Sequence, residues 1–164
     1  MTPPGLDAVR QILDECNALS LATSVGTESW AATVFFASDR RFNLYFVSDR
    51  RTRHAQHLAE NPRCHATVDP GCDKWSDIRG LQITGTAEVI QGAARAEGLL
   101  VFLGRFAEVK ALLEMAKSGD EKLIADRLKA ASLYRLVPDW IRLIDNRRGF
   151  GYKEEFDLSR RVPD

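Results

Sequence analysis

Residues 46–63 read FVSDRRTRHAQHLAENPR, from Phe46 to Arg63. An apolar, strand-like end runs into Ser48, then into Arg50, Arg51, Arg53 and His54, then into a short helical pattern that Asn61-Pro62 stops. The spacing predicts a helix over 52–60, with Ser48, Asp49 or Thr52 as its cap. A helix N-terminus exposes unpaired N–H groups and the positive end of the dipole. The hydroxyls of Ser48 and Thr52 and the charges nearby make this junction a cradle for one phosphate group. The plainer reading is a solvated basic turn with Thr52 as an ordinary cap, and this stretch alone leaves both open.

Working outward, Leu6 to Asn17 carries apolar residues at helical spacing, namely Leu6, Val9, Ile12, Leu13 and Cys16. Strands are predicted over 19–25, 30–38 (WAATVFFAS), 42–48 (FNLYFVS) and 64–68, and a long one over 78–90, where Gly80 and Gly85 suggest a bulge or bend. Residues 92–131 read as an inserted helical segment, broken near Gly104 and at Ser118-Gly119. Two strands, 133–137 and 140–145, are expected around Pro138-Asp139, followed by a polar tail over 153–164. Short strands with few long crossovers point to a mainly β fold, a curled sheet or barrel with peripheral helices.

A chain of 164 residues with 45% hydrophobic content suits one domain over 1–164. Lys+Arg and Asp+Glu both number 23, which gives no support to a nucleic-acid or membrane-surface role. No apolar run approaches the roughly 20 residues of a membrane span, and the N-terminus MTPPGLDAVRQ has neither signal-peptide nor transit-peptide form. Cys16, Cys64 and Cys72 are odd in number and lack a CxxC pair, so they read as reduced thiols of a cytoplasmic protein.

The order strand, hairpin, strand, basic triplet, short helix ending Leu-x-x-Asn-Pro, strand resembles the pyridoxamine 5′-phosphate oxidase-like superfamily of flavin-binding split barrels. The triplet here is Thr52-Arg53-His54 and the ending is Leu58 to Pro62. The resemblance covers about residues 18–90. WSDIRGLQITG (75–85) and DNRRGFGYK (145–153) are similar to an uncharacterised bacterial subgroup of that superfamily.

The resemblance implies a six-stranded antiparallel split β-barrel with Greek-key order, a homodimer, and bound FMN. Ala32, Thr33, Val34 and Phe35 match the strand whose backbone lines the flavin ring. Val47 and Ser48 match the pair at the end of the next strand, where a hydroxyl meets the phosphate or ribityl chain. Arg53 matches the phosphate-binding arginine, with Thr52 before it, and His54 stands where the oxidases carry a lysine. Gln82 lies on the strand that follows the cofactor site.

The departures bear on activity. Ala32 and Ala37 stand where the oxidases flank the ring strand with an arginine and a lysine, and the C-terminal Arg-x-His substrate motif has no counterpart. Pyridoxamine phosphate oxidation itself is therefore not expected. The implied function is an FMN-dependent oxidoreductase acting on a small molecule the sequence does not specify. Other classes are a non-enzymatic flavin or haem protein, a deazaflavin protein, or a barrel that has lost its cofactor. No residue has the setting of a general acid or base, and Trp75 and Arg147 are the polar guesses for a substrate cleft.

The remaining constellations carry less. His54, His57, Cys64, His65 and Cys72 match no standard zinc spacing, so no metal is expected. Cys64 and His65 are adjacent on a strand and face opposite sides, which prevents their acting as nucleophile and base. The apolar run Gly98 to Phe106 reads as core or dimer surface. DNRRGFGYK is either a flap over a partner's cofactor or a surface turn with an anchoring aromatic.

Overall fold

A computed structural model describes residues 4–160. Helix α1 (Pro4–Glu15) precedes strands β1 (Ala18–Val25), β2 (Glu28–Ser38) and β3 (Leu44–Ser48). Helix α2 (Arg53–Glu60), β4 (Arg63–Val68), a 3-10 turn at Trp75–Asp77 and β5 (Arg79–Val89) follow. Three helices, α3 (Gly92–Arg105), α4 (Ala107–Met115) and α5 (Gly119–Ala130), then lead to β6 (Ser132–Asp145), a 3-10 turn at Asn146–Arg148 and β7 (Lys153–Asp157).

All neighbouring strands pair antiparallel, in the order β3-β2-β1-β4-β5-β6, and β6 returns to pair with β3. Six strands thus close a ring. The run β3-β2-β1 with β4 laid beside β1 is a Greek key. Closure follows from side-chain alternation. Leu19, Leu21 and Thr23 of β1, Cys64, Ala66 and Val68 of β4, and Leu81, Ile83 and Ala87 of β5 point inward. The ring therefore wraps one apolar interior and leaves the polar alternates outside. Phe46 and Tyr134 stack across the β3–β6 seam with centroids 5.0 Å apart. Val9, Ile12, Leu13 and Cys16 of α1 join the same core.

The sequence reading holds in architecture and differs in two details. Residues 133–145 form one strand, not two. Thr84 pairs with Trp140 and Gly85 with Pro138, so Asp139 is an extra residue bulged out of the ladder. Across this bulge the buried positions switch from Tyr134, Leu136 and Pro138 to Ile141, Leu143 and Asp145. The count of strands is seven rather than six, because Lys153–Asp157 of the expected polar tail pairs with β6 as β7. Arg142 holds Glu155 across that pair at 2.8 Å. Residues 161–164, the end of the predicted tail, lie outside the described residues.

Helices α3–α5 fill the predicted insertion 92–131 and lean on the outside of the ring. Phe102 and Phe106 pack on Ala37, and Gly98 sits so close to Tyr45 that a methyl group there would lie 2.8 Å from the ring. Ser118 caps α5 in a reciprocal box with Glu121, which fixes the break at Ser118-Gly119.

Candidate functional site

β3 ends at buried Ser48, and the chain turns through Asp49 into α2. Thr52 occupies the N-cap position, but its Oγ1 donates to the Asp49 carbonyl at 2.8 Å and caps no helix amide. The first-turn N–H groups of α2 are therefore left without a side-chain acceptor. Beside them, Ser48 Oγ lies 2.6 Å from His54 Nε2, Thr52 Oγ1 lies 3.2 Å from the same nitrogen, and the two hydroxyls are 3.2 Å apart. Burial pushes the His54 imidazole below its ordinary titration range. The trio is thus neutral near pH 7, polar, and placed at the positive end of a helix.

Ser48 and His54 of this trio border a cleft of about 420 Å³. Its floor is Thr33, Val34 and Phe35 of β2 with Val47 and Ser48 of β3, and His54 stands at one end. The insertion supplies the other wall through Phe102, Phe106, Val109 and Leu128. Phe35 meets the edge of Phe106 with centroids 5.7 Å apart. Asp49 and Glu108 are the acidic groups on the lining. The volume falls within the roughly 300–1,000 Å³ of small-molecule sites, and an apolar slot with one polar, donor-rich end suits a flat ring with an anionic tail.

The profile of a family described as pyridoxamine 5′-phosphate oxidase matches residues 6–142. The chain belongs to that family. Among curated relatives, a UPF0306 protein of Klebsiella pneumoniae (strain 342) is 26% identical over 149 residues, covering 90% of each chain. The haem-binding protein of Mycobacterium smegmatis shares the fold with a TM-score of 0.72 and 18% identity; the match covers 97% of this chain and 60% of that one. The haem storage protein HutZ of Vibrio cholerae gives a TM-score of 0.63 at 16% identity, over 80% of this chain and 88% of that one.

The fold brings Thr33, Val34, Phe35, Val47, Ser48 and His54 to one cleft, with Thr52 bonded to its polar end. Three other residues singled out from the family pattern sit elsewhere. Ala32 is half-buried opposite Leu21 of β1 and is not on the cleft lining. Arg53 points to the β1–β2 hairpin, with Nη1 3.1 Å from Glu28 Oε1 and its guanidinium over the Trp30 ring. Gln82 accepts a hydrogen bond from Arg142 at 3.2 Å and borders a separate groove of about 350 Å³ on the outer face of the ring, with Ala22, Ala31 and Trp140. Trp75 is exposed in the turn before β5, off the cleft lining and against Phe150, and Arg147 lines a third cavity, beside α1.

The sequence reading missed the second wall. Phe102 and Phe106 lie one helical turn apart in the apolar run assigned to core or dimer surface, so the signal was present but did not say which strand they would cover. Among the described residues, no three His, Cys, Asp or Glu side chains come together to hold a metal ion. Cys64 is buried in the core and His65 faces out, bonded to Thr84 Oγ1 at 3.0 Å.

Proposed function

We propose that this protein binds FMN in the cleft between β2, β3 and α3–α4, as a flavin-dependent oxidoreductase of small molecules. One observation carries the reading: Thr33 to Phe35 of β2 and the uncapped, hydroxyl-bearing start of α2 face the same cavity. The α2 amides, Ser48, Thr52 and His54 would hold the phosphate, and Thr33 to Phe35 with Val47 would support the ring. Arg53 would add charge after leaving Glu28. Bound flavin supplies the redox chemistry; the chain orients it and, through Phe102, Phe106 and Val109, excludes water from one face. Purified protein titrated with FMN should quench flavin fluorescence with one site per chain, and bound flavin should be reducible by NAD(P)H with electrons passed to an added acceptor. Binding without turnover would leave a flavin store, and no binding at tens of micromolar would overturn the reading.

A second occupant is favoured by the position of His54. Its imidazole is the nitrogen base on the lining of an otherwise apolar slot, which suits an axial ligand to haem. The fold neighbours named above as haem-binding and haem-storage proteins support testing this. Titration with hemin should give a Soret shift abolished by His54→Ala if haem is the ligand. A flavin site would be weakened by that change but kept.

We also infer a homodimer in the cytoplasm. The outer face of β1, β2, β4 and β5 carries small side chains, Ser20, Ala22, Ala31 and Thr67, with exposed Phe35 on the same face of β2, a surface that a second copy could cover closely. Light scattering at micromolar concentration should return twice the chain mass. All three cysteines are unpaired, as in a reducing compartment. Among the described residues no helix is long and apolar enough to cross a membrane.

A further inference from the structure

On the side of the ring that α1 covers, a cavity of about 370 Å³ lies between α1 and the end of β6. Arg79, Arg147 and Arg148 all line it, together with Gln11 and Asp145. This gathers two stretches that the proposed flavin site does not use, the start of β5 and the DNRRGFGYK segment.

Each arginine has a carboxylate near it, but they are held with unequal closeness. Arg147 gives Nε and Nη2 to the two oxygens of buried Asp145, at 3.0 and 3.1 Å. Arg148 stands farther off, 3.5 Å from Asp145 and 4.0 Å from Glu154. Arg79 donates Nη2 to Glu15, whose other oxygen accepts from Gln11 at 2.8 Å. The Nη1 of Arg79 is buried and has no acceptor. A buried guanidinium N–H left unpaired is costly, and planar donor forks are built for carboxylate and phosphate oxygens. The cavity is also many times the roughly 30 Å³ share of one water molecule.

We infer that this cavity binds a small organic oxyanion, a carboxylate or a phosphate monoester, through Arg148 and through Arg79, whose closed-off Nη1 must swing into the cavity to donate, with Arg147 held in place by Asp145. The site is separate from the cleft at α2 and stands whether or not that cleft takes a flavin.

The test is calorimetric titration of the full chain with inorganic phosphate and, separately, acetate, at constant ionic strength. An Arg53→Ala/His54→Ala background weakens anion binding at α2, so that the two sites can be told apart. Saturable one-site binding of either anion in that background is expected; which one binds tighter assigns the headgroup. Arg148→Gln, on a partly exposed residue outside the core, should weaken it at least tenfold. Glu15→Gln, which releases Arg79 from its carboxylate, should tighten it, an effect that a purely structural ion network would not give. No saturable binding in the background, or binding indifferent to Arg148→Gln and Arg147→Gln, would overturn the assignment. Loss of all anion binding on silencing α2 alone would do the same while leaving the flavin reading intact.

Discussion

The guanidinium of Arg53 lies over the ring of Trp30, 4.5 Å from its centroid. Glu28 holds the same guanidinium at 3.1 Å, and its carboxylate is also 3.8 Å from buried His57, which bonds Thr23 at 3.2 Å. The arginine that the family pattern gives to the phosphate is thus parked one strand away from it. A parked arginine must exchange one partner for another on binding, so part of its attraction for phosphate is offset.

Two substitutions separate these roles. Arg53→Ala should weaken FMN binding about tenfold or more, as expected for a charge-assisted contact of about 1.5–3 kcal/mol. Glu28→Gln should tighten binding in the native background and do nothing in Arg53→Ala, a coupling read from a double-mutant cycle by fluorescence quenching. Equal effects of Glu28→Gln in both backgrounds would show that Glu28 does not restrain Arg53.

His54 gives the site a pH dependence. Burial lowers its folded pKa, so the unfolded chain takes up protons first as pH falls below about 6.5. Stability from this group is complete above that value and declines as pH drops towards the lowered folded value. His54→Gln should flatten that limb of a melting-temperature profile between pH 7 and 5. Phosphate binding favours the protonated ring, so FMN affinity should rise as pH falls in the native protein. In His54→Lys, which restores the family's fixed charge, affinity should be higher and flat from pH 6 to 8.

Asp145 acts at the acid end. Its carboxyl is held below the usual range chiefly by hydrogen bonding to Arg147, with Arg148 adding charge. A depressed acid contributes stability that is complete above about 3.9 and is lost as pH falls through its folded value. Asp145→Asn should lower stability at pH 6 and reduce the further loss as pH falls below about 4, followed by thermal melts.

Gly85 sits at the bulge where β5 faces Pro138. A Cβ there would press into the Val137 carbonyl oxygen and come within 3.0 Å of the Pro138 Cα. Both are backbone atoms that cannot rotate away. Gly85→Ala should cost about 1–3 kcal/mol in urea unfolding, as overpacking does, and an unchanged midpoint would mean that the bulge relaxes freely.

The ring was legible because its strands alternate: Leu19, Leu21 and Thr23, or Cys64, Ala66 and Val68, announce one buried face. The split at Pro138-Asp139 was misread because a proline in an apolar run looks like a terminus, whereas β6 absorbs it as a bulge that keeps both halves paired to β5. β7 was missed because KEEFD is charged; it is ordered through pairing to β6 and the Arg142–Glu155 contact, neither of which a local window contains. At the cleft, Ser48 and His54 were legible from the family pattern, since local chain geometry sets them at the start of α2. The positions of Arg53 and Gln82 depend on Glu28 and Arg142, distant in sequence, and no spacing rule contains them.

Strand β6 has a consequence for biosynthesis. Its first residues meet β3, with Ser132 opposite Ser48 and Leu136 opposite Leu44, while its length also covers β5. Until the ribosome has released residues 132–145, a nascent chain carries β3 and β5 as two open, apolar-flanked edges with three helices already emerged after β5. Such edges recruit other chains. A stall or cleavage in the α4–α5 region would therefore yield fragments prone to aggregate, not a smaller working barrel.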